Sequence, residues 1–248
     1  MASDAYRKSA FNTLLVELNE IGLPGMSATL DEMYRSPKFL EFDPLTAIAN
    51  LVYQKKMNKR ILSRLRSAHL RGCLQELSSC VDSGEREYLP RGITGTLSML
   101  DFINSGLNVC ILGPSDCGKS YLAKAIGIAA CNNFKVEYHH CETLLEAMVA
   151  HKATDCSKYQ KRMEKICRAA LLVLDDFLLH TITDEREVKV LFEILEKRCE
   201  INLNTIICSQ REAASWSAMI LNDEVASNAI MKHATRHYTV VIKPKISA

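Results

Sequence analysis

The sequence predicts an α/β fold: a parallel sheet flanked by helices, preceded by a small all-helical N-terminal domain. Three observations carry this. From about residue 93 onward, short apolar runs alternate with helical patterns, the order that builds a parallel sheet. Those runs are dense in Val, Ile and Leu without polar alternation, as strands buried on both faces require. Before about residue 80 the pattern is helical throughout, with no strand-like run.

Taken in order, residues 1–80 form the helical N-terminal domain, broken at Gly22-Leu23-Pro24-Gly25 and near Asp43-Pro44. Inside it Leu51, Met57, Ile61, Leu62 and Leu65 recur at helical spacing. From Pro44 to Gln75 the chain carries seven Lys or Arg residues and no acid, although its net charge is only +2. This reads as a basic amphipathic helix. Its charges, Lys59, Arg60 and Arg64 among them, serve either as a solvated face or as a surface for a phosphate backbone. Residues 81–92 are polar, contain Gly and Pro, and read as a linker. Residues 93–248 form the sheet domain, with strands expected at 108–112, 134–138, 170–175, 204–208 and 237–242. The last strand lies close to Ala248, so no C-terminal helical lid is expected.

Composition excludes several classes. A hydrophobic content of 48% with 24% charge is that of a soluble globular chain, and no apolar run approaches the ~20 residues that span a bilayer. Residues 1–8 lack the apolar core of a signal peptide, so a cytoplasmic protein without membrane contact is expected. Ten cysteines, none in a C-x-x-C pair, read as reduced thiols. His139-His140-Cys141 is the nearest approach to a metal cluster. It has no second ligand pair at finger-like spacing and is read as structural or surface rather than zinc-binding.

Residues 113–120, Gly-Pro-Ser-Asp-Cys-Gly-Lys-Ser, complete the G-x-x-x-x-G-K-[ST] pattern between an apolar run and a helix-like stretch beginning Ser120-Tyr121-Leu122. Strand, glycine loop and helix N-terminus make an anion cradle. Backbone N–H groups of Gly113, Pro114 to Gly118 and Tyr121 (Pro114 itself excepted) surround the phosphates; the intervening residues are Ser115, Asp116 and Cys117. Lys119 reaches the β- and γ-phosphates of ATP, and the Ser120 hydroxyl sits on Mg²⁺. Leu171-Leu172-Val173-Leu174-Asp175-Asp176 supplies the companion element, four apolar residues and then two acids at a strand's C-terminal end. That is the edge where open α/β sheets bind ligands. There Asp175 serves the Mg²⁺ and Asp176 orients or deprotonates the attacking water. A third apolar strand ends in Ser209-Gln210, where Ser209 is expected to position that water or sense the γ-phosphate.

Together these residues resemble the AAA+ ATPases of the DnaC and IstB type, the replicative helicase loader and the transposition helper of insertion sequences. Leu23-Pro24-Gly25-Met26, the basic stretch through Arg71, Arg91-Gly92-Ile93 and Leu191–Arg198 all look like the helper family. Ser209-Gln210 followed by Trp216 and Ala229-Ile230-Met231 favours the helper over the loader. The resemblance implies a P-loop NTPase fold of AAA+ type. It implies ATP at each interface of a homo-oligomer, a ring or helical filament on duplex DNA, acting with a transposase; a DnaC-like helicase loader is the alternative. It also implies an arginine reaching in from the neighbouring subunit. The expected position falls on Lys232 or His233, and Arg236 is the nearest arginine. Asp116 stands where the family has Gly, a position that often needs a left-handed backbone, which Asp tolerates. The C-terminal Ser-x-Arg ending of relatives is reduced to Lys245-Ile246-Ser247-Ala248. Lys158, Lys161, Arg162 and Lys165 share one helical face before the Asp175 strand and are the second candidate DNA contact. With few aromatics among them, phosphate tracking is expected rather than base stacking.

Overall fold

A computed structural model describes residues 2–36, 43–220 and 224–245, and its contacts divide the chain into compact units at Ser63/Arg64. The first unit holds α1 (Ala2–Glu20), α2 (Pro24–Arg35) and most of α3 (Pro44–Ser67). The breaks fall where Pro and Gly put them. Gly22 takes φ +76°, Pro24 opens α2, and Asp43 caps α3 by accepting the Leu45 N–H at 2.8 Å. Phe11 stacks on Tyr34 with ring centroids 3.9 Å apart, and Ser27 donates to the Leu15 carbonyl, so α1 and α2 pack as a pair.

The second unit is a six-stranded sheet in the order β1-β6-β2-β5-β4-β3. Its strands are β1 (Arg86–Leu89), β2 (Val109–Leu112), β3 (Val136–His140), β4 (Leu171–Asp175), β5 (Asn204–Ser209) and β6 (Tyr238–Pro244). All neighbours run parallel except β1, which lies antiparallel on β6. The five apolar runs are the five parallel strands. β1 corrects the linker reading of residues 81–92. Its only fully buried residue is Tyr88, so a one-faced edge strand of polar composition hides among linker-like residues.

Alternate strand residues enter two cores. Val109, Ile111, Val173 and Ile206 pack with Leu122 and Ile126 of α6 (Lys119–Ala130) and with α4 (Ile93–Ser98) and α5 (Asp101–Asn104). Cys110, Leu172, Leu174 and Ile207 pack with α7 (Cys141–Thr154), α8 (Cys156–Arg168), α9 (Glu185–Glu200) and α10 (Glu224–Ala234). Helices on both faces explain strands without polar alternation. The carboxyl ends of β2, β3, β4 and β5 therefore open on one edge, with their starts on the other.

Candidate nucleotide site and basic groove

The loop leaves β2 at Leu112 and enters α6 at Lys119. Two glycines are required here, Gly113 by its approach to backbone and Gly118 by its left-handed φ. A Cβ on Gly113 would lie 2.5 Å from the Ile242 carbonyl oxygen, and one on Gly118, at φ +103°, would lie 2.6 Å from Arg86 Nη1. Asp116 takes φ +59°, the left-handed backbone expected of it. The buried Lys119 ammonium donates back to the Pro114 carbonyl at 2.5 Å and lies 3.9 Å from Cys117 Sγ. Cys117 is itself buried, while Ser115 and Asp116 are exposed at the loop tip. Tyr121 points its hydroxyl the other way, at the Glu76 N–H 3.4 Å off.

Opposite the loop, Asp175 is 1% exposed and its carboxylate accepts three hydrogen bonds. Ser120 Oγ donates to Oδ1 at 3.0 Å, the Asp176 N–H donates to the same oxygen at 3.1 Å, and the Tyr138 hydroxyl donates to Oδ2. Burial and the adjacent carboxylate push the Tyr138 phenol far up, so it remains a donor. Asp176 follows at φ +53° with its side chain turned to the surface, where Oδ2 lies 3.0 Å from His140 Nδ1. One ligand atom each from His140, Asp175 and Asp176 falls within 4.8 Å of the others. Hard oxygen donors from Ser120 and Asp175, in hydrogen-bond contact beside a phosphate loop, suit Mg²⁺.

Sequence reasoning missed Tyr138 and His140. Both stand on β3, whose His140 pairs with Asp175 on β4, and only the strand order brings them to the acids. It also gave Ser209 a different place. The Ser209 side chain is fully buried; its hydroxyl donates to the Phe177 carbonyl at 2.8 Å and accepts the Arg211 N–H at 3.2 Å. It clamps the turn after Asp176 rather than facing the loop. Trp216 completes the clamp, buried edge-on to Phe177 with centroids 4.8 Å apart. Arg236 is exposed beside Cys199, just before β6 begins. It lies five positions before Val241, the partner of Leu112, so it sits about 16 Å away along the sheet from the start of its own loop. Lys232 is exposed on the last turn of α10; of the C-terminal ending, residues 246–248 lie outside the described residues.

Lys158, Lys161, Arg162 and Lys165 line a single open groove of about 690 Å³ with Lys124, His69, His139, His140 and His151. Lys165 is partly committed there, bonding the buried Glu137 carboxylate at 2.8 Å. Burial pushes Glu137 up, but hydrogen bonds from His139 and Lys165 outweigh it and hold the carboxyl below its usual range. Arg64 does not join the groove. Its Nη1 donates to the Cys131 and Asn132 carbonyls at 3.1 and 2.6 Å, closing the C-terminus of α6, so part of its guanidinium is committed to the protein. Lys59 and Arg60 are exposed on α3 in the first unit.

Sheet order, phosphate loop and paired acids define a P-loop nucleotide-binding fold of AAA+ type. Among solved structures, the AMPPCP-bound DnaA of Aquifex aeolicus matches 68% of this chain and 50% of its own at 21% identity and a TM-score of 0.55. DnaI matches 68% of this chain and 87% of its own at 20% identity and 0.52. At such identities the likeness is one of fold. The family described as IstB-like ATP binding protein matches residues 16–245, and the chain belongs to it. The insertion-sequence ATP-binding protein y4pL of Sinorhizobium fredii is 30% identical over 215 residues, 86% of either chain. No described helix is long and apolar enough to cross a membrane.

Proposed function

We infer that the protein binds and hydrolyses ATP as the assembly switch of an insertion-sequence transposition helper, oligomerising on duplex DNA for a transposase. The observation that carries this is the pairing of the phosphate loop with Asp175 and Asp176 across Ser120, in a chain related along most of its length to insertion-sequence ATP-binding proteins. Backbone N–H groups of residues 115–121 receive the phosphates, and Lys119 turns from the Pro114 carbonyl to the β- and γ-phosphates. Ser120 and Asp175 would hold Mg²⁺, which neutralises phosphate charge when bound. Asp176 accepts the proton of the attacking water, with His140 fixing which oxygen faces it. Tyr138, donating to Asp175, keeps that carboxylate from rotating away.

Arg236 lies too far from its own loop to act there, so a neighbouring subunit supplies it, stabilising charge on the transferring phosphoryl group. The α8 face, Lys158, Lys161 and Arg162, tracks the DNA backbone, with Lys165 anchoring the groove wall through Glu137. The test is particle size and phosphate release with and without duplex DNA, for wild type and Lys119→Ala. ATP-dependent assembly on DNA, lost in the variant and weakened by salt, is expected. A wild-type protein that stays monomeric with both ligands removes the assembly reading. Preferential binding to a hexameric helicase and single strands would favour the loader instead.

A further inference from the structure

The segment that composition reads as a linker delivers a cation to the phosphate loop. β1 pairs with β6 alone, Arg86 opposite Pro244, and β6 lies beside β2, whose end becomes the loop. From that edge the Arg86 side chain crosses the end of β6. Its Nη1 and Cζ lie 2.6 and 3.6 Å from where a Cβ on Gly118 would be. Gly118 is the residue that caps α6, immediately before Lys119. Two cations thus stand at the N-terminal end of one helix, where the backbone dipole repels positive charge and favours an anion.

How the guanidinium is held separates this residue from a structural arginine. Arg198, buried in the same unit, spends its donors on Ile166, Ala169, Asn204 and Thr205 oxygens. Arg86 has its nearest carboxylate, the exposed Glu85, at 3.8 Å, and its own side chain is 33% exposed. Burial raises the pKa of the Cys80 thiol and the Tyr88 phenol; a hydrogen bond from Arg86 to the Tyr88 hydroxyl draws the phenol back down, and the guanidinium charge does the same to both groups. A guanidinium carries five N–H donors in a planar fork matched to phosphate, and these contacts leave donors to spare.

We propose that Arg86 is a phosphate-binding residue of the nucleotide site, contributed in cis by β1 and taking the polyphosphate chain shared by ADP and ATP. The inference rests on the loop being a nucleotide site. It adds a cation that the G-x-x-x-x-G-K-[ST] pattern does not contain, and it does not depend on the neighbouring subunit that Arg236 needs. Because the contact is charge-assisted, its removal weakens polyphosphate binding while the adenosine end is unaffected.

The experiment is calorimetric titration of the full chain with ATP, ADP, inorganic triphosphate and adenosine, for wild type, Arg86→Gln and Lys119→Ala. Arg86→Gln is expected to weaken ATP, ADP and triphosphate by roughly ten- to a hundredfold, with any adenosine binding unchanged. Triphosphate bound as tightly by Arg86→Gln as by wild type overturns the proposal, and so does an equal loss for adenosine. Wild type that binds neither ATP nor ADP brings down the nucleotide reading itself, and wild type that binds both while Arg86→Gln binds them as tightly brings down only the proposal. Loss in Lys119→Ala but not in Arg86→Gln removes Arg86 alone. A second measurement needs no variant: phenylglyoxal labelling of wild-type arginines, mapped by mass spectrometry with and without ATP. Protection of Arg86 by ATP is expected, and equal labelling in both conditions counts against the contact even if the variant does not fold.

Discussion

The two edges of the parallel sheet are built from similar residue types and treat them in opposite ways. At the strand starts, the buried Arg198 gives Nε to Thr205 Oγ1 at 3.1 Å and Nη1 to the Ile166 and Ala169 carbonyls at 2.8 Å each. Asn204 Nδ2 donates to the Phe102 and Leu107 carbonyls, and the Thr205 N–H donates to Asn108 Oδ1 at 2.8 Å. Nearly every donor there ends on a protein oxygen; Asn204 Oδ1 is left without a partner. At the strand ends, Lys119 is folded onto a loop carbonyl, Asp176 stands in left-handed backbone, and Arg86 bonds the Tyr88 hydroxyl and stands 3.8 Å from Glu85, with donors of its five left over. A saturated polar edge stabilises the fold. An edge with donors in reserve is where a ligand gains more than the protein loses.

The largest expected effect therefore belongs to the starting edge. Arg198→Met removes the guanidinium and leaves several buried carbonyls unpaired, at a cost of about 3–5 kcal/mol. In a chain of this size that lowers the thermal midpoint by roughly 10 °C. Burial already draws the Arg198 pKa down to about 10, so the group remains charged at neutral pH and its loss is felt there in full. Urea unfolding monitored by circular dichroism measures it. Intact stability with lost nucleotide affinity would reverse the roles of the two edges.

Lys119→Met tests the other edge. The methionine fills the space and cannot donate, so ATP affinity should fall by about 2–4 kcal/mol, the worth of one or two charge-assisted bonds. Stability should change by less than about 1 kcal/mol, because among the described residues the ammonium bonds the Pro114 carbonyl and Cys117 Sγ alone. The same urea titration, paired with ATP titration, reads both. A large destabilisation here would mean that the reserve is structural after all.

How far each edge was legible follows from what is local. The five parallel strands are visible because burial on both faces leaves contiguous apolar runs, and the phosphate loop because its glycines, Lys119 and Ser120 are contiguous. β1 is invisible for the converse reason: a single buried side chain, Tyr88, among charges and turn residues leaves no pattern. Tyr138 and His140 stand 37 and 36 residues from the acids they bond, and nothing in the chain before folding says that β3 lies beside β4. Arg198 sits among helix-spaced charges of α9, and only packing distinguishes it from exposed Lys197. Contiguous motifs were read; partners across strands required the sheet order.

Ser209 is the smallest test and the sharpest, because it lies at the open edge and is held like a residue of the closed one. Its hydroxyl both donates and accepts within the turn after Asp176, so Ser209→Ala should cost about 1 kcal/mol of stability, the net value of one intramolecular hydrogen bond. The turn it releases carries Asp176 but not the phosphate loop. ATP and ADP affinities should therefore stay equal to wild type while the maximal hydrolysis rate falls. A hydroxyl that senses the γ-phosphate predicts the opposite split: ATP affinity reduced, ADP affinity kept, stability unchanged. Binding of the two nucleotides, measured beside a urea midpoint, separates them. A selective loss for ATP would move Ser209 back to the ligand side of the boundary.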